Sequence, residues 1–128
     1  MNDFYPPLAE LLKNHISLNL ARTKCLTVLI IAMVRCRTVN LAVLCNATPC
    51  EKANTKSWYR RFQRFISEIS IPWRVLPIML VSMMGLDSVE HWVLCMDRTN
   101  WKFGKKHINI LYLAISFHGV AIPLFGIF

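Results

Sequence analysis

Acidic residues are scarce in this sequence of 128 residues, which has 7 Asp or Glu against 15 Lys or Arg and a formal net charge of +8. The imbalance is concentrated between Leu20 and Arg74, where ten basic residues stand against two acidic ones, Glu51 and Glu68. The rest of the chain is close to neutral. Because a basic region is typical of a surface that meets a polyanion, we expect this half of the chain to contact a polyanion such as DNA.

A secretory signal peptide is also missing, since the N-terminus has neither a basic start nor an apolar stretch. The five cysteines are an odd number in apolar contexts, which favours reduced thiols in a cytoplasm over a disulfide framework. Zinc ligation is the alternative for Cys45, Cys50, His91 and Cys95, but their spacings do not match zinc fingers. We therefore expect a cytoplasmic protein whose cysteines are packing residues.

Charged side chains are absent from residues 107–128, a stretch long enough to span a bilayer. A small membrane protein is therefore one alternative. Against it, Asn109, the His118-Gly119 pair and Pro123 interrupt the stretch, and β-branched and aromatic residues are frequent. Two apolar runs separated by a turn dipeptide are typical of paired strands, so we expect strands here and no membrane partner.

The hydrophobic period divides the chain into a helical, basic region, 1–86, and a β-rich region, 87–128, which predicts an α+β fold. The expected helices are 8–16, 21–37, 39–46, 57–69 and 72–85, with Thr38 and Ser57 as caps of the third and fourth. The expected strands are 90–98, 108–117 and 120–127, joined by turns at 104–106 and 118–119 into an antiparallel meander. The 55% of hydrophobic residues predicts surfaces that pack against neighbouring segments.

The fourth expected helix has an apolar side and a basic side. The apolar side is predicted to contain Trp58, Phe62, Phe65, Ile66 and Ile69. The other side is predicted to contain Arg60, Arg61 and Arg64, and with Lys56, just before the helix, these are the candidate DNA-binding residues of this segment. A short helix, a turn and a basic helix follow each other as in a helix-turn-helix, whose second helix enters the major groove of DNA. The alternative is an amphipathic surface helix whose arginines are solvated.

Asp97 is a lone acid after five apolar residues, 92–96, which predict a strand buried on both faces. A carboxylate in such a strand costs several kcal/mol unless a cation meets it. That cation is either a metal ion or a basic side chain such as Arg98, Lys102 or a turn lysine. Alternation along the strand places Asp97 and Cys95 on one face, opposite Leu94 and Met96.

The segment from Leu94 to Gly104, Leu-Cys-Met-Asp-Arg-Thr-Asn-Trp-Lys-Phe-Gly, together with 108–111 and 119–124, resembles the DDE transposases of the IS-four insertion-sequence family. The blocks at 37–41 and 59–65 resemble the DNA-binding N-terminal region of the same transposases. The resemblance implies an RNase H-like fold with Asp97 on its central strand, as the first of three carboxylates that bind Mg²⁺ or Mn²⁺. It also implies that Arg98, Asn100 and Trp101 support the site or contact DNA.

In that family the second Asp and the Glu lie far downstream of the Asp97 block. We therefore expect the N-terminal portion of a transposase, truncated and without catalytic activity, that binds double-stranded DNA at the ends of its element in a nucleoid-associated location. A homodimer is implied for the full-length enzyme. The alternative is a non-enzymatic DNA-binding protein, such as a truncated regulator that acts on the ends of its parent element.

Overall fold

The structure is a computed structural model that describes residues 5–48 and 54–127. Within these ranges the chain forms five helices and a three-stranded antiparallel sheet, which confirms the α+β class. The helices are α1 (Tyr5–His15), α2 (Leu20–Cys36), α3 (Leu41–Asn46), α4 (Thr55–Glu68) and α5 (Val75–Met83). The strands are β1 (Leu94–Phe103), β2 (Lys106–Phe117) and β3 (Val120–Ile127).

Two compact units lie on either side of the bond between Ile71 and Pro72. The first contains α1 to α4, and the second contains α5 and the sheet. The change from helix to strand falls after α5, near the predicted position of residue 86. The boundary between the two compact units lies earlier in the sequence, because α5 contacts β3 and therefore belongs to the same unit as the sheet.

The first unit is built around α2, which contacts α1, α3 and α4. Because neighbours surround this helix, it is buried on most sides rather than on one face. Five consecutive residues are buried: Cys25, Leu26, Thr27, Val28 and Leu29. The hydroxyl group of Thr27 donates a hydrogen bond to the carbonyl oxygen of Thr23 at 2.8 Å, so this polar group is satisfied inside the core.

Asparagine side chains cap α3 and α4, which corrects the predicted caps. Asn40 Oδ1 accepts from the N–H of Ala42 at 3.0 Å, and Asn54 Oδ1 accepts from the N–H of Ser57 at 2.9 Å. Thr38 instead accepts a hydrogen bond from the N–H of Asn40. Both asparagines have extended backbone angles, the geometry in which a short side chain reaches the first turn of a helix.

The other helix bounds differ from the predicted ones near prolines. Pro6 lies inside the first turn of α1 instead of preceding the helix, which is favourable because a proline there lacks only an N–H that would have no helical partner. Helix α5 begins at Val75 rather than at Pro72, because Pro72 opens a turn that is closed by the Val75 N–H bonding its carbonyl oxygen at 3.0 Å.

The sheet has the strand order β1-β2-β3, and two-residue turns connect its strands. In the first turn Gly104 has a φ of 61°, and in the second His118 and Gly119 have φ values of 49° and 79°. Positive φ at these positions matches the hairpin turns that suit the twist of paired strands. β3 is an edge strand, as Pro123 predicts, and its bounds are those expected.

β1 is the other edge of the described sheet, and the burial predicted for it is wrong. Leu94 is 51% exposed and Met96 is 72% exposed, and Asp97 is also exposed. The reason is that α5 packs against β3, while no helix in the described residues is in comparable contact with β1. The central strand of this sheet is β2, so Asp97 does not lie on a central strand here.

The uncharged stretch near the C-terminus forms strands rather than a helix, since residues 107–127 belong to β2, the second turn and β3. Among the residues that the structure describes, no helix is both long and apolar enough to cross a membrane.

Candidate nucleic-acid interface and the Asp97 site

Three aromatic side chains anchor α4 in the first unit. Trp58, Phe62 and Phe65 are buried, and their spacing of four and three residues places them on one side of the helix. Phe62 is fully buried, with 0% exposure. Ile66, which is predicted to share this side, is 58% exposed, because the buried side is narrower than the sequence predicts.

The opposite side of α4 is basic. Lys56, Arg60, Arg61 and Arg64 are all exposed, and within the described ranges none of them forms an ion pair with a carboxylate. The four side chains line an open depression of about 400 Å³ together with Asn54 and Ser57 at the start of the helix. The structure therefore brings these four residues to one surface, while their role in DNA binding stays a prediction.

Contacts on both sides fix the position of Arg61 on this surface. Its guanidinium lies 5.1 Å from the centroid of the Trp58 ring, which is a cation–π contact. The Cys25 thiol of α2 donates a weak hydrogen bond to the carbonyl oxygen of Arg61, with 3.9 Å between sulfur and oxygen. Burial raises the pKa of the Cys25 thiol, and the positive charge of Arg61 partly opposes that rise.

A second cavity, of about 450 Å³, lies between the start of α2 and the side of α4. We call it the α2–α4 groove. Four cationic side chains line it: Arg22, Lys24, Arg61 and Arg64. Among the lining residues that the structure describes, Glu68 is the one acid. Nothing in the local sequence pattern indicates that Arg22 and Lys24 face α4, because this placement depends on the packing of two helices that are distant in the sequence.

In the second unit, Asp97 lies on the exposed edge strand β1, and it forms no ion pair with any residue that the structure describes. Its Oδ1 accepts a hydrogen bond from the backbone N–H of Arg98, with 2.7 Å between the atoms. The predicted burial of this carboxylate is therefore wrong, because Asp97 is exposed. Within the described residues its carboxylate contacts a backbone N–H group.

The guanidinium of Arg98 instead contacts two asparagine side chains. Its Nε donates to Asn100 Oδ1 at 3.3 Å, and its Nη2 donates to Asn109 Oδ1 at 3.4 Å. Asn100 and Asn109 are opposite each other in the β1–β2 register, so the three polar groups share one face of the sheet. Trp101 is 63% exposed and, by alternation, lies on the other face with Asp97.

The residues present around Asp97 do not match a two-metal site. In the described part of the chain, no group of three or more His, Cys, Asp or Glu is placed to hold a metal ion. One carboxylate neither neutralises two divalent ions nor fixes the distance between them. For the zinc alternative, Cys25, Cys36, Cys45 and Cys95 are free cysteines, and Cys50 lies outside the described residues.

Comparison with protein-family models, with curated proteins and with solved structures finds no match to this chain. The likeness to transposases therefore rests on the sequence blocks named above, at 94–104, 108–111 and 119–124 and at 37–41 and 59–65.

Proposed function

We propose that this chain binds double-stranded DNA through the basic side of α4. The observation that carries the proposal is the division of this helix into a side anchored by buried aromatic rings and a side with four exposed cations. Those cations are not paired with carboxylates in the described residues. Leaving them unpaired at close spacing is unfavourable through mutual repulsion, and a polyanion relieves that repulsion.

The dimensions of α4 suit a groove of DNA. Its 14 residues give a length of about 21 Å, and a helix of ordinary diameter enters a major groove about 12 Å wide. Lys56, Arg60 and Arg64 follow each other at intervals of four residues and so form one row along the helix. Arg61 lies beside this row. The row supplies either phosphate contacts or contacts to base edges.

We further propose that the chain is the N-terminal portion of a DDE transposase of the IS-four family, without catalytic activity of its own. The resemblance around Asp97 supports this assignment. It implies an RNase H-like domain in which Asp97 lies on a central strand, and a further strand paired to the free edge of β1 would give it that position. In the complete enzyme, Asp97 and further carboxylates would hold Mg²⁺ or Mn²⁺, which would supply the phosphodiester chemistry.

A truncated regulator that binds the ends of its parent element is the second candidate. It is favoured by the same basic helix, because occupying DNA needs the cations of α4 and no metal-binding carboxylates. Measuring binding to duplexes with the element ends against duplexes of scrambled sequence distinguishes a regulator specific for those ends from a general DNA-binding protein.

The test of DNA binding is the salt dependence of affinity for duplex DNA, measured by fluorescence anisotropy with the full chain. We expect the logarithm of the binding constant to fall linearly with the logarithm of salt concentration, with a slope of about −0.9 for each phosphate neutralised. Replacing Arg60, Arg61 and Arg64 together by Ala should flatten that slope by up to roughly three phosphate equivalents.

The matched control replaces Lys102, Lys105 and Lys106 by Ala, which removes the same charge from the second unit. This control separates loss of contacts from loss of net charge, and circular dichroism checks that both variants keep the helical content of the parent. If the α4 variant binds duplex DNA as tightly as the parent with an unchanged slope, α4 is an ordinary solvated surface and the proposal is wrong.

A further inference from the structure

The α2–α4 groove concentrates positive charge from two segments that are distant in the sequence. Arg22 and Lys24 come from the start of α2, and Arg61 and Arg64 come from the middle of α4. Glu68 is the one acid among the described residues of the lining, which therefore contribute an excess of positive charge. None of the four cations is paired with a carboxylate within the described residues, so all four are available to an anion.

The backbone of α2 adds to this positive potential. Its first turn contains Arg22 and no acidic residue. The start of a helix carries a partial positive charge, so a cation there is unfavourable for the helix itself. Asn19 Oδ1 accepts the N–H of Arg22 at 2.9 Å, but the first N–H groups of a helix have no partners within it. The position of Arg22 is thus unfavourable for folding and favourable for binding an anion.

One wall of the groove contacts the guanidinium of Arg61. Trp58 and Phe65 are buried side chains in the lining, and the Trp58 ring contacts the guanidinium of Arg61. The Cys25 thiol contacts the backbone of the same arginine. A guanidinium that is already positioned loses less freedom on binding, which favours recognition of a phosphate by Arg61.

We propose that the α2–α4 groove of the protein binds a phosphate group of the DNA backbone. This phosphate lies beside the DNA groove that α4 enters. This inference rests on the proposed function of α4 and adds a second contact, made by Arg22 and Lys24. Arg61 and Arg64 line both the groove and the basic depression on α4, so they connect the two contacts. A phosphate contact fixes the register of a protein on DNA and carries no sequence information of its own.

The test replaces Arg22 and Lys24 together by Gln in the full chain. Gln keeps much of the apolar stem and removes both positive charges. We expect the salt slope of duplex binding to flatten by about one to two phosphate equivalents, or roughly 0.9 to 1.8. The loss of affinity should be similar for duplexes of unrelated sequence. The melting temperature should stay the same or rise, since a cation is removed from the positive end of α2.

The matched control replaces Lys105 and Lys106 by Gln and should bind as the parent does. The single variant Lys24→Gln provides a milder version that leaves the first turn of α2 unchanged, and it should flatten the slope by up to about one phosphate equivalent on the same relation. If the parent shows a steep slope and both groove variants match the control, the groove inference is overturned while DNA binding by α4 stands.

A second arm uses inorganic phosphate alone. The melting temperatures of the parent and of the groove variant are compared in sodium phosphate and in sodium chloride at equal ionic strength. If the parent does not bind duplex DNA, both proposals fail. In that case, stabilisation by phosphate that is lost in the groove variant would identify a site for a free anion and would overturn the DNA backbone as its occupant.

Discussion

The carboxylate of Asp97 accepts a hydrogen bond from the backbone N–H of its neighbour Arg98, 2.7 Å away. The direction of that N–H follows from the hydrogen-bonding pattern between β1 and β2. Ser116 donates its N–H to the carbonyl oxygen of Val93 at 2.8 Å, so the odd-numbered residues of β1 direct their backbone groups to β2. The N–H of Arg98 therefore points to the free edge of the sheet, where the Asp97 side chain occupies it.

We predict that Asp97→Ala increases self-association of the full chain. The substitution exposes an unpaired N–H on an edge strand and removes a negative charge from that edge, and both changes favour pairing between edges. Light scattering as a function of time and protein concentration measures the effect.

Asp97→Asn is the matched control, because its side-chain oxygen still accepts the Arg98 N–H although the charge is gone. We expect it to aggregate less than Asp97→Ala. Equal aggregation of the two variants would show that the charge, and not the hydrogen bond, protects the edge.

We predict that the purified chain neither nicks nor joins DNA in the presence of Mg²⁺ or Mn²⁺. Asp97 is without the partner carboxylates that two-metal phosphodiester chemistry requires in the described residues. Conversion of supercoiled plasmid to its nicked form provides the measurement. Metal-dependent nicking that disappears in Asp97→Ala would contradict this prediction.

We predict that Phe62→Ala lowers the free energy of unfolding by about 3–5 kcal/mol, since Phe62 is fully buried and its truncation leaves a cavity. Ile66→Ala on the same helix should change it by no more than about 0.5 kcal/mol, because Ile66 is exposed. Urea denaturation followed by circular dichroism gives both values. A similar cost for the two substitutions would mean that α4 faces the core with a different side.

We predict that Cys25 and Cys45 react with iodoacetamide more slowly than Cys36 and Cys95 at pH 8. Burial raises the pKa of both slow thiols, so a smaller fraction is present as the reactive thiolate. The two faster cysteines are only half-buried. Peptide mass spectrometry at successive times measures each site. Early modification of Cys25 would show that α2 and α4 separate readily.

The sequence predicts turns and strand ends well where a residue type determines the backbone conformation. Gly104 and Gly119 are residues that tolerate positive φ, so the two hairpin turns and the bounds of β3 could be anticipated. The N-cap residue of α3 is harder to predict from the sequence. Thr38 and Asn40 are both residue types that cap helices, and only the backbone angles decide between them.

Local sequence patterns do not predict which strand is exposed or which basic residues from distant segments line one cavity. The apolar run before Asp97 has the composition of a buried strand, but its exposure depends on α5 packing against β3. Arg22 and Arg61 line the same cavity only because α2 and α4 pack together, and hydrophobic periodicity does not predict contacts between distant segments. The roles in DNA and metal binding remain predictions.

The two-residue turns also determine when the sheet can fold. Among the residues that the structure describes, each strand pairs only with its neighbour in sequence, so no long loop must close before these strands pair. A hairpin forms in about 1–10 μs, whereas a ribosome adds only about 5–20 residues per second. β1 and β2 can therefore pair as soon as both have left the ribosome, and β3 joins them without waiting for any distant segment.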